Sequence, residues 1–124
     1  IMTGSAYPGL WDLHYDAHDD SLHSMAEAYT RIYINTCLEN KVNVLLNIVN
    51  GGKCDGIVYH LNRSCKLMSF LNVETAEIIK EKTGLPYVSF DGDQTDPRNF
   101  APAQFDTRVQ ALAEMMEANL AAAE

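Results

Sequence analysis

Apolar residues in the middle of the chain recur at the spacing of one helical face. They follow one another at intervals of four, three, one and three residues, the pattern of an amphipathic helix. These residues are Leu38, Val42, Leu45, Leu46 and Val49. Residues 36–39 have the form of a capping box, with Thr36 and Glu39 covering the first amides of this helix. Gly51 and Gly52 predict its end, because glycine adopts the left-handed cap conformation at low cost.

Two short runs rich in β-branched and aromatic residues follow this helix, at residues 56–61 and 86–90. Each is followed by a helical pattern. The first covers residues 73–83, with Asn72 as cap and Gly84 as stop, and the second covers residues 103–122. The order strand, helix, strand, helix predicts an α/β fold: a small parallel sheet with flanking helices, similar to half of a Rossmann or flavodoxin-like fold.

The first part of the chain gives weaker signals. Residues 1–3 have the composition of a short strand, and Asp20 or Ser21 is a candidate cap for a helix over residues 22–29. Two or three strands are few for an independent parallel sheet. Because the chain also begins with Ile1 rather than methionine, we expect residues 1–124 to form a single α/β domain, or a fragment of a larger subunit.

Charge and composition narrow the function classes. The chain has 9 basic and 17 acidic residues, a net charge of −8, which disfavours general binding to the phosphate backbone of nucleic acids. No apolar run approaches the roughly 18 residues needed to span a bilayer, and no signal peptide is visible. Three cysteines, an odd number, do not suit a disulfide framework. These features predict a cytoplasmic protein that does not enter a membrane.

Chemistry is expected in the loops that leave the carboxyl ends of the two strands, residues 62–66 and 91–94, because ligands of open parallel sheets bind there. Cys65 lies between Arg63 and Lys66 in the first of these loops. Nearby positive charge favours the thiolate, the form that binds metals. The alternative is a buried structural cysteine, which is also how we interpret Cys37 and Cys54.

Other polar residues have two interpretations each. His60 ends the first strand, as a hydrogen-bond donor or as a satisfied core histidine. Asp91 and Asp93 suit a metal or acid–base pair, although a turn stabilised by aspartate is the simpler reading. Arg108 is placed to bind a carboxylate or phosphate, or to pair with a neighbouring acid. A segment with three histidines and four aspartates reads as solvated surface: His14, His18, His23, Asp12, Asp16, Asp19 and Asp20.

Three segments together resemble subunits of the 2-hydroxyacyl-CoA dehydratase family. Residues 53–66 resemble the family's strand that opens with Asp-Gly and leads to a cluster-binding cysteine. Residues 84–93 resemble its next strand, which ends in acids, and residues 104–115 resemble its closing helix. The order and spacing of these segments agree with the family pattern over roughly residues 36–116. Their detailed amino-acid sequence is most similar to that of a 2-hydroxyglutaryl-CoA dehydratase subunit.

The resemblance implies a cofactor, partners and a reaction. Enzymes of this family pair two sister subunits, each with a [4Fe–4S] cluster held by three cysteines, and Cys65 matches one of these ligands. An ATP-hydrolysing activator protein supplies one electron, and the acyl-CoA thioester becomes a ketyl radical that loses water to give an enoyl-CoA. His60, Arg63 and Ser64 flank the cysteine and are expected to bind substrate; no residue is assigned a catalytic role.

The chain departs from the family pattern at the other two cluster ligands. Those cysteines belong to the family's amino-terminal half, and neither Cys37 nor Cys54 matches them. We therefore expect this chain alone to carry no cluster and to be inactive. Two alternatives stay open: a benzoyl-CoA reductase-type subunit, and a non-catalytic α/β module that binds a ligand.

Overall fold

The computed structural model describes residues 1–18 and 20–123. Asp19, one of the four aspartates noted among the histidines, lies outside the described residues. The chain divides into two compact units, Ile1–Lys53 and Cys54–Glu124. The expectation of a single domain over residues 1–124 stays a prediction.

The described residues of the first unit form helices α1 (Ser21–Arg31) and α2 (Leu38–Gly52), with 3-10 turns at Pro8–Trp11 and Tyr33–Asn35. Helix α1 begins where predicted, because the Asp20 carboxylate accepts hydrogen bonds from the first amides of the helix. The buried apolar residues of this unit are Ala28, Ile32, Tyr33, Val42 and Val49. Residues 1–3 do not form the predicted strand: they pair with no described strand, and Ile1 and Met2 are fully exposed.

Both ends of α2 differ from the prediction. The capping box is wrong: Cys37 occupies the cap position without a side-chain hydrogen bond, while the Thr36 hydroxyl donates to the carbonyl of Tyr33 at 2.9 Å and so serves the preceding turn. The predicted end of the helix at Gly51 and Gly52 is also wrong. The helix includes both glycines, and the left-handed residue is Lys53, with φ of 48°, since the chain reverses one residue later than the composition indicates.

The second unit is built on two parallel strands, β1 (Ile57–Asn62) and β2 (Tyr87–Gly92), paired in register from Ile57 opposite Tyr87 to Asn62 opposite Gly92. Two helices connect them, the short α3 (Lys66–Ser69) and α4 (Asn72–Thr83). A 3-10 turn at Pro97–Asn99 then leads to α5 (Pro102–Ala123). The predicted fold class, a small parallel sheet with flanking helices, is confirmed.

The ends of α4 confirm one cap and correct the other. Gly84 has φ of 71° and ends the helix, as predicted. The predicted cap Asn72 is instead the first helical residue, and Leu71 occupies the cap position with φ of 67°. A left-handed leucine is unusual, so sequence alone does not indicate it.

Helices cover both faces of the small sheet. On one face α5 packs closely on the start of β1: a side chain at Gly56 would lie 2.9 to 3.1 Å from atoms of Leu112 and Met116. On the other face Tyr87 donates a hydrogen bond to Glu77 of α4. The buried core residues of this unit are Tyr59, Asn62, Thr75, Ala76, Ile79, Val88 and Leu112.

Burial is less complete than the apolar patterns predict. Val58 of β1 is 46% exposed, and Val109 and Leu120 of α5 are 40% and 60% exposed. Phe105 and Met116 of α5 are partly covered. Among the described residues, no helix combines the length and the apolar character needed to cross a membrane.

Candidate functional site

The carboxyl ends of β1 and β2 lie side by side and form one edge of the sheet. Asn62 and Gly92, the last residues of the two strands, are paired in register. The amide of Arg63 then donates to the carbonyl of Gly92 at 2.9 Å, which extends the ladder by one bond. The two loops that begin here, residues 63–65 and 93–101, therefore start from a shared and fixed position, the place where parallel sheets bind ligands.

Asn62 organises the loop that carries Cys65. Its side chain is almost fully buried, at 7% exposure, and its Oδ1 atom accepts hydrogen bonds from the amide of Ser64 at 3.3 Å and from its hydroxyl at 2.9 Å. Its carbonyl accepts from the Cys65 amide at 3.1 Å and from the Ser69 hydroxyl at 2.7 Å. One buried residue thus fixes the path of the chain from β1 to the start of α3.

Cys65 occupies the cap position of α3 and is half-buried. Its carbonyl accepts the amide of Ser69 at 3.1 Å, the first bond of the helix. The predicted position at the carboxyl edge of the sheet is confirmed; the predicted role as a metal ligand stays a prediction.

Arg63 and Ser64 are both engaged by protein groups. The Arg63 guanidinium forms an ion pair with Asp91, with 3.0 Å between Nη2 and Oδ2, and both side chains are about half exposed. This pair joins the end of β2 to the loop after β1. The expected substrate-binding roles of Arg63 and Ser64 are untested and stay predictions.

His60 lies within β1 rather than in the loop. Its ring stacks on Phe90, the residue paired with it on β2, with centroids 5.0 Å apart and planes 18° from parallel. A side chain at Gly92 would place its Cβ 2.6 Å from His60 Nε2. The glycine therefore makes room for the imidazole at the very edge where the two strands end, and substrate binding by His60 stays a prediction.

Asp91, near the end of β2, and Asp93, in the loop that follows, both have structural roles. Asp91 pairs with Arg63, as described. Asp93 Oδ1 accepts from the amide and the hydroxyl of Thr95, at 2.8 and 2.9 Å. These bonds, the Thr95 amide foremost, hold the pKa of the Asp93 carboxyl at about 2. The simpler interpretation, a turn stabilised by aspartate, is the one that the structure supports.

The cysteines do not assemble into one centre. Cys54 precedes β1 at its amino end, the opposite edge of the sheet from Cys65. Cys37 is exposed at the cap of α2. None of the three forms a disulfide, and residues 1–18 and 20–123 contain no group of three or more His, Cys, Asp or Glu side chains that can hold a metal.

This arrangement fits an iron–sulfur cluster only in part. Cysteine sulfur is the ligand that such clusters use, and Cys65 supplies one half-buried cysteine at the carboxyl edge of the sheet. A cluster held by three or four ligands is not completed by the described residues. No reaction step is therefore assigned to a cluster from this chain's own geometry.

The acidic, histidine-containing segment of the first unit is solvated surface, as interpreted from its composition. His14 and Asp12 are 3.2 Å apart, with side chains 83% and 69% exposed. His23 lies 3.9 Å from Glu27, one helical turn away, also at the surface. These are ordinary surface pairs of small energetic weight.

Two residues that organise the site were not identified from sequence, Asn62 and Gly92. A signal for Asn62 exists: an asparagine two residues before Ser64 is the pattern of an Asx turn. Gly92 gives no comparable signal, because the need for a glycine there depends on the cross-strand position of the His60 side chain.

The fold and the edge geometry define an α/β protein with a cysteine loop at the carboxyl ends of its parallel strands. A family model described as 2-hydroxyglutaryl-CoA dehydratase, D-component, matches residues 1–116. The chain belongs to this family.

Three relatives show how the similarity is distributed. The chain is 84% identical over 124 residues to lactoyl-CoA dehydratase subunit alpha of Anaerotignum propionicum. It is 50% identical over 116 residues to the (R)-2-hydroxyisocaproyl-CoA dehydratase alpha subunit of Clostridioides difficile. It is 37% identical over 118 residues to (R)-2-hydroxyglutaryl-CoA dehydratase subunit alpha of Acidaminococcus fermentans. These matches cover 100%, 94% and 95% of the chain but 29%, 28% and 24% of the relatives, so the chain spans less than a third of their length.

Proposed function

We propose that this chain is part of the alpha subunit of a 2-hydroxyacyl-CoA dehydratase whose substrate is lactoyl-CoA. The observation that carries the proposal is the 84% identity, over the whole chain, to a lactoyl-CoA dehydratase subunit alpha. Identity to the (R)-2-hydroxyglutaryl-CoA dehydratase relative is 37%. This lower value argues against the 2-hydroxyglutaryl-CoA substrate that the resemblance of the sequence motifs suggests. All three relatives are named dehydratases, which favours elimination of water over the benzoyl-CoA reductase alternative.

The proposed reaction is the loss of water from the acyl group. The hydroxyl leaves carbon 2 and a proton leaves carbon 3, so a double bond forms between these carbons and lactoyl-CoA gives an enoyl-CoA and water. The resemblance suggests one-electron chemistry with an ATP-dependent activator protein and a sister subunit. The same proposal places the enzyme in the cytoplasm, with its acyl-CoA substrate.

Within this proposal Cys65 is one ligand of a [4Fe–4S] cluster, and the other ligands come from outside this chain. The Asn62 hydrogen bonds support it, because they fix the backbone amide of Cys65 and the start of α3. A fixed donor loses little conformational entropy when it binds. Arg63, held by Asp91, and Ser64 are proposed to meet the substrate at the same edge.

The experiment is a cysteine exchange in the full-length alpha subunit, purified without oxygen together with its sister subunit. Cys65→Ser is expected to remove about one cluster's worth of iron and sulfide. Cys54→Ser, at the opposite edge of the sheet, is the matched control and is expected to retain both. Equal iron in the wild type and Cys65→Ser would exclude Cys65 as a ligand.

Substrate choice is tested separately with the wild-type enzyme. Lactoyl-CoA and 2-hydroxyglutaryl-CoA are offered at equal concentration, and kcat/KM is compared. A higher kcat/KM for lactoyl-CoA is expected; preference for the dicarboxylic substrate would contradict the proposal.

A further inference from the structure

A small polar hollow lies between the carboxyl half of the sheet and the first turns of α5. Its volume is about 90 Å³, and its polar lining comes from Ser89 and Asp91 of β2 and from Gln104 and Arg108 of α5. This volume suits a group of a few heavy atoms and is far too small for a whole nucleotide. Neither the dehydration proposed above nor the Cys65 loop uses this hollow.

Aromatic packing sets its shape. Phe90 of β2 and Phe105 of α5 contact edge to face, with centroids 4.9 Å apart, and both rings line the hollow. Gln104 and Arg108 are four residues apart and therefore share one face of the helix. The packing of Phe105 on Phe90 holds this part of α5 against β2, and Gln104 and Arg108 both line the hollow.

The charges around the hollow leave one cation in excess. Asp91 is already paired with Arg63 at 3.0 Å. Within the described part of the chain, no hydrogen bond or ion pair engages the guanidinium of Arg108, and none engages the side-chain amide of Gln104. Two arginines therefore accompany one carboxylate, and the side-chain donors of Gln104 and Arg108 remain available at the residues that line the hollow.

We propose that this hollow, the Arg108 hollow, binds one phosphate group of the acyl-CoA substrate. Arginine binds phosphate through two parallel hydrogen bonds, Gln104 supplies a further donor, and the volume admits a single phosphate. The inference rests on the proposed function only for the source of the phosphate. Free inorganic phosphate offers the same chemistry, and the experiment separates the two.

The test measures binding without turnover. The full-length alpha subunit with its sister subunit is titrated calorimetrically with free CoA, with pantetheine, which lacks the nucleotide phosphates, and with inorganic phosphate. Arg108→Ala is expected to weaken CoA binding about tenfold or more, since a charged hydrogen-bond donor is lost. Pantetheine binding is expected to be unchanged. Arg108→Lys, which keeps the charge and loses the planar fork, is expected to fall between.

The matched control is Arg98→Ala. Arg98 is also an exposed arginine of the second unit, and its guanidinium is satisfied locally by Asp96 at 2.6 Å, so CoA binding is expected to be unaffected. Circular dichroism of each variant verifies folding.

Two results would overturn the proposal: unchanged CoA affinity in Arg108→Ala, or equal weakening of CoA and pantetheine binding. Unchanged CoA affinity together with loss of inorganic phosphate binding would make the hollow a site for free phosphate. Because CoA binding is measured without chemistry, failure of the enzyme to dehydrate lactoyl-CoA would count against the proposed function and leave this result standing.

Discussion

The loops that leave the carboxyl ends of β1 and β2 start side by side, yet they are held by different chemistry. The first is organised by Asn62, a neutral amide that is 7% exposed and bonded to Ser64. The second is organised by Asp93, a carboxylate that accepts from Thr95 and whose pKa is about 2. The first support is buried and independent of pH, and the second is solvated and charged.

The difference between a buried amide and a solvated carboxylate indicates which loop is the more rigid. A buried amide that loses its partners cannot replace them with water, so removing it carries the full cost of unsatisfied groups. A solvated carboxylate loses less, because water competes for the same donors. The loop that carries Cys65 is therefore the more firmly positioned of the two, which suits a residue that has to present a ligand atom at a fixed place.

The largest effect is expected for Asn62→Ala. It removes the acceptor of the Ser64 hydroxyl and amide and opens a gap beside α3, so the free energy of unfolding is expected to fall by about 2–3 kcal/mol. Urea denaturation followed by circular dichroism measures it. Asn119→Ala, an exposed asparagine of α5, is the control and is expected to change stability by less than about 0.5 kcal/mol. Equal effects would show that Asn62 does not organise the loop.

Gly92→Ala is expected to cost about 1–3 kcal/mol, because the new methyl group lies 2.6 Å from His60 Nε2 and the imidazole is held against Phe90. Adding His60→Ala is expected to relieve most of this cost, which a double-mutant cycle measures. Gly51→Ala is the control: nothing lies within 4 Å of its new methyl group, and alanine is expected to stabilise α2 by about 0.5–1 kcal/mol. Additive effects of the His60 and Gly92 substitutions would refute the steric account.

Gly92 and His60 also show which features of the fold the sequence can and cannot predict. Both strands and the helices α1, α2, α4 and α5 follow from period and composition, because burying one face imposes a repeat that is readable locally. The contact of Gly92 with His60 depends on cross-strand register, which single residues do not encode. The predicted start of α2 was wrong for a related reason: Thr36 satisfies a preceding turn that the capping pattern does not include.

The candidate site was predicted from the sequence to about the same extent as the fold. The position of Cys65 at the carboxyl edge follows from the rule that parallel strands end together. The pairing of Arg63 with Asp91 joins the loop after β1 to the end of β2, and no local pattern indicates it. The identity of a ligand at Cys65 depends on residues outside this chain and stays a prediction.

Asp93→Asn is expected to have a smaller effect than Asn62→Ala, and one that depends on pH. The pKa of this carboxyl is about 2 in the folded protein against an ordinary value of 3.8. A lowered pKa means that the carboxylate stabilises the fold above about pH 4, and that this contribution is lost as the pH falls toward 2. The urea midpoints of wild type and variant should therefore differ at pH 6 and converge near pH 2. A difference that does not depend on pH would contradict the role of the charge.

The smallest effect is expected for Arg63→Ala. The ion pair with Asp91 links the loop after β1 to the end of β2, but both side chains are about half exposed, so its loss is expected to cost less than about 1 kcal/mol. The backbone bond from residue 63 to the Gly92 carbonyl, at 2.9 Å, survives the substitution and keeps the strand ends together.

The effect of salt distinguishes the Arg63–Asp91 ion pair from the backbone hydrogen bond between residue 63 and Gly92. The difference in unfolding free energy between wild type and Arg63→Ala is expected to shrink further when urea denaturation is repeated at about 0.5 M salt, because screening weakens exposed ion pairs. A loss of about 2 kcal/mol or more that persists in salt would mean that the side chains, rather than the extended ladder, join the loops. The support of the Cys65 loop would then be shared with Asp91 on β2, and the contrast between a loop fixed by its own buried amide and a loop held by charge would no longer hold.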